Sequence, residues 1–151
     1  MSTAFALIQA AVTAVLTAPP MLVAGPIRAG FDGNSTVDQS TKPVEVKILK
    51  AKGVYALAGQ GAPRRWETML MVTYKVRASA GDLMDAPLDD MLALGEDRLA
   101  ELTPDAIGAL SIDLDPELAW GTEAGQPPFA LVQRRMRITH ETLGPGLAPR
   151  P

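Results

Sequence analysis

The sequence predicts an α+β fold in which two main helices pack on one face of a mostly antiparallel sheet. Two observations carry this prediction. Two segments place apolar residues every three or four positions, the spacing of a helix with one buried face, whereas other segments alternate apolar and polar residues with the period of a strand. The predicted elements follow the order α-β-β-β-α-β-β. So few helices can cover only one face of a sheet.

The first helix is predicted over residues 4–18, in the stretch "AFALIQAAVTAVLTA". Ser2 or Thr3 can cap its first turn, and Pro19 and Pro20 end it. The run is shorter than the roughly 20 residues of a bilayer span, and the first basic residue is Arg28, whereas a signal peptide begins with basic residues. We therefore predict a core helix and no membrane association. Its apolar face comprises Phe5, Ile8, Val12 and Val15.

Three strands are predicted before the second helix. A short strand at residues 22–29 is followed by one at residues 44–57, "VEVKILKAKGVYAL", in which valine and isoleucine alternate with charged residues. The clearest strand is "RRWETMLMVTYKVRA" at residues 64–78. One face of this strand runs from Trp66 to Val76 and is mainly apolar. The other is charged at its ends and carries methionine in the middle, which predicts partial cover.

The second helix is predicted over residues 85–102. Asp89 and Asp90 lie in its first turns, near the positive end of the helix dipole. Gly95, in the middle of the helix, leaves room for close packing. Two further strands follow, at residues 111–120 and 128–143.

These elements complete a single domain, residues 1–143, and a Pro/Gly-rich tail follows at residues 144–151. Leu147 and Arg150 are the only sizeable side chains of the tail. Ordering each residue costs about 1–2 kcal/mol of conformational entropy, which two side chains cannot offset on the tail's own core. We therefore expect that contact with a neighbouring subunit orders the tail.

No catalytic, cofactor or metal site is predicted, and hence no enzyme. The chain has no cysteine, which excludes disulfides and thiolate ligands. Its one histidine, His140, is expected near the end of the last strand, with no nucleophile signature beside it. The "GQG" at residues 59–61 is not followed by the GK[ST] of a phosphate loop. A calcium loop that began at Asp32 would need Glu at its twelfth position, where Pro43 stands.

Charge is unevenly distributed along the chain. The net charge is −3, but residues 82–123 hold twelve of the 17 acidic residues and only one of the 14 basic residues, Arg98. This region is either a solvated acidic face, or the negative surface of a molecule that also has a positive surface. In the second case, copies of the chain attract each other through surfaces of opposite charge. The basic residues are too scattered, and the total charge too negative, to predict specific nucleic-acid binding.

The charge pattern and the tail together define the candidate protein-interface residues. The basic doublets at residues 64–65 and 134–135 have few aromatic neighbours in the sequence, which favours a protein partner or solvent over single-stranded nucleic acid. The acidic candidates come from the second helix. The full set is Lys47, Lys50, Arg64, Arg65, Asp89, Asp90, Glu96, Arg134, Arg135, Leu147 and Arg150.

The ordered pattern resembles the small tail-terminator proteins (tail-completion, or minor tail, proteins) of long-tailed bacteriophages. The similarity covers nearly the whole chain, and the tail "GPGLAPRP" lies outside it. It is carried by the stretches "FALIQAAVTAVLTA", "RRWETMLMVTYKVRA", "PLDDMLALGEDRLAEL", "IGALSIDLDPELAW" and "FALVQRRMRITHETL".

The resemblance implies an α+β protomer that forms a six-membered ring. Such a ring caps the tail tube when the tube reaches full length, and offers its other face to the connector or neck protein on the head side. The implied partners are copies of the chain itself, the tail tube protein and that connector, without a cofactor. The implied location is the head-proximal end of the virion tail, which is assembled in the host cytoplasm.

Two other classes of function remain open at this point. One is a different ring component, such as a tube, neck or head–tail connector protein. The other is a small cytosolic enzyme or ligand-binding domain whose site is built from Asp, Arg and Tyr side chains. A deep pocket that encloses several of those groups within one chain would favour the second class.

Overall fold

The computed structural model of the chain describes residues 2–18, 44–56, 63–77, 85–124, 129–143 and 146–150. Within them the predicted α+β fold is confirmed, because two helices and a four-stranded antiparallel sheet follow each other in the predicted order. The short strand predicted at residues 22–29 lies outside the described residues. The elements are α1 (Ala4–Thr17), β1 (Val44–Ala56), β2 (Arg64–Arg77), α2 (Asp85–Ala100), β3 (Ser111–Glu123) and β4 (Phe129–Thr142).

The strand order in the sheet is β1-β2-β4-β3, and every neighbouring pair is antiparallel. The central pair, β2 with β4, runs in one unbroken register from Arg64 opposite Thr142 to Arg77 opposite Phe129. Both edge strands are irregular: β1 shifts register after Ile48, and β3 bulges between Leu114 and Leu118. The centre of the sheet is therefore regular, and its two edges are bent.

The core lies between one face of this sheet and the two helices. Alternate residues of β2 and β4 point toward the helices and are almost fully buried, as alternation along a strand requires. The helix predicted over residues 85–102 is present as α2 (Asp85–Ala100), whereas α1 buries a narrower stripe than predicted, since its buried residues recur every fourth position and Phe5 and Val15 are only half-buried. The helix residues of the core are Ile8, Val12, Leu16, Leu88, Met91, Leu92 and Leu99.

Gly95 marks the closest approach of α2 to the sheet. A Cβ atom at this position would lie 2.3 Å from Cε1 of Tyr74 and 2.5 Å from its hydroxyl oxygen. Tyr74 is fully buried on β2, and its rigid ring cannot move away without disturbing the core. The prediction that Gly95 leaves room for close packing is confirmed.

The C-terminal tail corrects one step of the sequence reasoning, which held that the tail cannot dock on its own chain. Residues 146–150 fold back onto their own chain and make backbone hydrogen bonds with it. The amide of Ala4 at the start of α1 donates a 2.8 Å hydrogen bond to the carbonyl of Leu147, and the amide of Leu143 donates one of 3.0 Å to the carbonyl of Ala148. Backbone hydrogen bonds, rather than side-chain burial, therefore hold the tail. They also satisfy an amide that a helix start leaves without a partner.

No helix among the described residues combines the length and the hydropathy that a bilayer span requires. The more apolar of the two helices, α1, has 14 residues and packs into the core through one face.

Substituting Gly95→Ala should destabilise the fold by about 1–3 kcal/mol, because the added methyl group overpacks the contact with Tyr74. Denaturant unfolding of the two proteins measures the difference. In a Tyr74→Leu background the cost of Gly95→Ala should shrink, which a double-mutant cycle resolves. A gain in stability, as helix propensity alone would give at an exposed position, would contradict the contact.

Deleting residues 144–151 should lower the free energy of unfolding by about 1–3 kcal/mol, since the amides of Ala4 and Leu143 lose their acceptors. The melting temperature of the truncated chain measures this loss. Leu147→Ala is the matched control. The Leu147 side chain is 41% exposed and its carbonyl remains, so this change should have little effect. An unchanged melting temperature after truncation would show that the tail does not stabilise its own chain.

Candidate protein-interaction surfaces

The sheet face that points away from the helices carries a group of basic side chains, which we call the basic face: Lys47, Lys50, Lys52, Arg135 and Arg137. The pairing register places four of these side chains in two rows, each of which crosses three strands. Residues that are directly opposed in neighbouring strands lie on the same side of a sheet. One row contains Lys50, Met69 and Arg137, and the other contains Lys47, Met71 and Arg135. The two methionines are half-buried between the charged strands, so the face is a methionine strip flanked by cations.

Only part of the basic face is neutralised within the chain. Lys47 lies 3.4 Å from Glu45, and Arg137 lies 3.6 Å from Asp113, in exposed ion pairs of a kind that contributes only about 0–1 kcal/mol. Among the described residues, the remaining three cations have no ion-pair partner within 4.0 Å. Glu67 stands opposite Lys52 in the register and is an isolated acidic group there. The basic face therefore keeps an excess of positive charge.

One lysine at the end of the same face is used within the fold. Lys75 is buried, lies 3.1 Å from Glu45 and is also paired with Glu123. Burial opposes the charged form, but the hydrogen bonds and charges of Glu123 and Glu45 outweigh it and raise the pKa of Lys75. This ion triad ties the starts and ends of three strands together.

The helix layer on the other side of the molecule is acidic. We define its acidic helix surface as Asp89, Asp90, Asp97, Glu101 and Asp105, which are all exposed. Arg98, the basic residue among them, donates a 2.8 Å hydrogen bond to the carbonyl of Leu16 at the end of α1. The acidic helix surface and the basic face thus lie on opposite layers of the fold, whereas the remaining acidic residues of β3 lie in the sheet itself.

Two of the predicted interface residues pair with each other inside the chain. The guanidinium of Arg134 donates to both carboxylate oxygens of Glu96, at 2.7 to 3.2 Å, and also donates to the backbone carbonyl of Asp115. Both side chains are largely buried. Arg134 therefore joins α2 to β4 and to the bulge of β3, which explains a charge on the otherwise apolar face of β4.

The other predicted candidates lie at the surface. Arg65 pairs with Glu141 at 3.0 Å, and Arg150 of the tail pairs with the same carboxylate. Hydrogen bonds from Arg150 and Arg65 lower the pKa of Glu141. Arg64 is exposed at the start of β2, and Leu147 is exposed on the tail. These groups form a small cluster near the start of α1, apart from the basic face.

Strand β3 carries an apolar surface that sequence reasoning missed. Helix α1 lies over β1, and α2 lies over β2 and β4, so β3 extends past both helices. Two large apolar side chains on its helix-facing side remain exposed, Leu114 at 37% and Trp120 at 56%. The signal in the sequence was a tryptophan on a strand whose other residues are mostly acidic or small.

His140 is sealed in the core. Its Nε2 lies 2.7 Å from Oγ1 of Thr68, and the ring of Phe5 stands edge-on at 4.9 Å. Both His140 and Thr68 are at most 1% exposed, and Nδ1 of His140 has no hydrogen-bond partner among the described residues. A hydroxyl–imidazole pair with neither an orienting acid nor access for a substrate lacks the geometry of nucleophilic catalysis. Burial lowers the pKa of His140, so the ring is neutral at pH 7.

In the part of the chain that the structure describes, no three His, Asp or Glu side chains come together as a metal site would require.

No protein-family model matches the chain, and no curated protein sequence matches it. The surfaces of the molecule, together with the resemblance in sequence pattern, therefore carry the functional proposal.

Stability should fall as the pH drops from about 7.5 to 5.5 because of His140. In the unfolded chain His140 takes up a proton near pH 6.5, whereas in the folded chain burial opposes its protonation. The contribution of His140 to the free energy of unfolding is therefore fully present above that pH and decreases below it. One proton limits the slope to about 1.4 kcal/mol per pH unit. Urea unfolding across this range measures it. His140→Gln, whose amide can still bond to Thr68, should remove this part of the slope, and an equal slope in both proteins would contradict the assignment.

Proposed function

We propose that the protein is a structural component of a bacteriophage virion. In this proposal it forms a ring that caps the tail tube, ends the growth of the tube and provides the surface for head–tail joining. Its partners are copies of itself, the tail tube protein and the connector or neck protein on the head side. It acts at the head-proximal end of the tail after assembly in the host cytoplasm.

The observation that carries this proposal is that cations of the basic face and carboxylates of the acidic helix surface lie on opposite layers of the fold. A capping ring must present one chemistry to the tube and another to the connector, and it must also bind its own copies in a fixed orientation. Opposite charges on opposite surfaces favour such oriented contacts and disfavour like-to-like ones. The basic face and the acidic helix surface supply this asymmetry within one small chain.

The position of His140 supports a contact function over acid–base chemistry. This was the residue on which a catalytic interpretation of the sequence would have rested, and it is enclosed between Phe5 and Thr68. The charged groups at the surface instead lie on broad faces, the arrangement expected of a protein that binds other proteins. The ring of six subunits rests on the resemblance in sequence pattern.

Electron microscopy of purified tail tubes incubated with the gold-labelled protein tests the proposal. We expect label at one end of each tube and none along its length. Reversing charges of the basic face, Lys50→Glu with Arg135→Glu, should reduce end labelling if that face meets the tube. The double variant Asp97→Lys with Glu101→Lys makes the same comparison for the helix layer.

The other outcomes of this experiment identify the alternatives. Label along the whole tube, or polymerisation of the protein into tubes by itself, would indicate a tube protein. Label on isolated connectors alone would indicate a neck component. No label anywhere would contradict the proposal and leave the enzyme or ligand-binding class.

A further inference from the structure

We propose that copies of the chain associate head to tail through the two edges of the sheet, with β1 of one copy lying along β3 of the next. This inference rests on the proposed ring function, because it specifies the surfaces through which the ring closes. Four features support it: the exposure of the edge strands, the direction of the strands, the charge of each edge and the exposed side chain of Trp120.

Both edge strands offer backbone groups to a partner. Residues 50–53 of β1 are exposed, as is most of β3 from Asp113 to Glu123. Nearer the start of β1, Nε2 of Gln9 on α1 donates a 2.7 Å hydrogen bond to the carbonyl of Val46. Helix α1 therefore contacts the first part of this edge, where Gln9 must release the carbonyl of Val46 when a partner strand pairs there. No other described residue covers residues 50–53. An unpaired strand edge is a template for another strand.

The strand directions allow the sheet to continue from copy to copy. All neighbouring strands in the order β1-β2-β4-β3 are antiparallel, so β1 and β3 run in opposite directions. A second copy placed beside the first in the same orientation thus brings its β1 antiparallel to β3 of the first. Its helices then lie on the same side of the extended sheet. No strand has to reverse and no face has to turn over.

The charges on the edges select this arrangement over pairing of identical edges. Strand β3 carries four acidic residues and no basic residue, whereas β1 carries three lysines and one glutamate. Pairing two β1 edges would oppose lysines, and pairing two β3 edges would oppose carboxylates, which is destabilising across strands. Pairing β1 with β3 opposes unlike charges. Since such a contact is heterologous, it generates a ring when the rotation closes.

The register of the sheet matches these charges row by row. In an unstaggered continuation, the row of Lys50, Met69, Arg137 and Asp113 in one copy places Asp113 next to Lys50 of the next copy. The row of Lys47 leads, through Met71 and Arg135, to the bulge of β3 at residues 115–117. Asp115 and Glu117 in this bulge have no ion-pair partner among the described residues. Asp113, which already pairs with Arg137, thus lies beside Lys50 of the next copy, and the two carboxylates of the bulge lie beside Lys47.

The same arrangement of copies places Trp120 beside an apolar residue of the next copy. Its row contains Val132, Tyr74 and Val44, so the indole of one copy lies beside Val44 of the next. Val44 borders a groove between α1 and β1, whose helix wall is made of small and polar residues such as Ala10, Thr13 and Ala14. Trp120 lies on the helix-facing side of the sheet, as does this groove. The exposed tryptophan of one copy is therefore the occupant that we assign to the groove of the next.

Charge reversal and mixing test the inference, with mass in solution as the readout. One variant carries Lys47→Glu and Lys50→Glu on β1, and the other carries Asp113→Lys and Glu117→Lys on β3. Each variant alone opposes like charges between residues 50 and 113 and between residues 47 and 117 of neighbouring copies, and should fall from an oligomer to the 16.0 kDa chain. An equimolar mixture restores unlike charges at every contact and should reassemble. Ala93→Lys with Ala100→Lys on α2, at two exposed positions outside the acidic helix surface, adds charge away from both edges and should assemble like the natural chain.

Disulfide trapping provides an independent measurement, because the natural chain has no cysteine. A chain with both Lys50→Cys and Asp113→Cys, which share a row and a face of the sheet, should give a ladder of covalent multimers on oxidation. Either single variant should give no covalent multimer. Thermal unfolding of all variants checks that the fold is retained.

The outcomes separate this inference from the proposed function. A natural chain that is monomeric at every concentration overturns both. An oligomer that survives both edge reversals but dissociates with the α2 variant overturns edge pairing and leaves the ring proposal standing. Failure of the mixture to reassemble, or covalent dimers from a single cysteine, also overturns the head-to-tail arrangement.

Discussion

The unbroken pairing of β2 with β4 is the constraint on which the rest of the structure depends. Fourteen consecutive residue pairs share one register, so every second side chain of both strands points to the same side. That side is apolar over most of its length and must be covered, which positions both helices. The remaining strands are then forced to the two outer edges. An antiparallel sheet with one covered face and two open edges follows directly from this pair.

The two described helices are too few to cover all four strands, and this shortage leaves part of β3 exposed. Helix α1 lies over β1 and α2 over β2 and β4, so β3 is left with Leu114 and Trp120 exposed. A monomeric protein gains nothing from an exposed tryptophan on an acidic edge strand, whereas a subunit of an assembly can bury it against a neighbour. The same geometry leaves the opposite sheet face open, where cations accumulate around Met69 and Met71.

The fold class and the main elements could be predicted because alternation and helical spacing are local properties of the chain. The strands around Leu70 and Met136 are clear from the sequence for this reason. The bulges at Leu49 and near Pro116 could not be predicted, since they depend on which strands pair. The docking of the tail on α1 was missed for a similar reason. It relies on the backbone carbonyl of Leu147 and the amide of Ala4, and composition carries no information about such contacts.

The candidate surfaces were only partly accessible from the sequence. Counting charges showed an acidic region, but the count placed α2 and β3 together, although they lie in different layers of the fold. Glu96 and Arg134 are distant in sequence, and only the fold shows that they satisfy each other. Conversely, the row that joins Lys50 to Asp113 across the sheet depends on four strands being aligned. Long-range register, which no single segment encodes, defines the proposed interface.

Sedimentation velocity of the natural chain at neutral pH and low salt tests the central claim of self-assembly most directly. The account predicts one discrete species at a whole multiple of 16.0 kDa, which dissociates into folded subunits at molar salt because exposed charge contacts are screened. A chain that sediments as a monomer in both conditions would contradict the account. An oligomer whose mass is the same at low and molar salt would show that apolar contacts, and not the charged surfaces, hold it together.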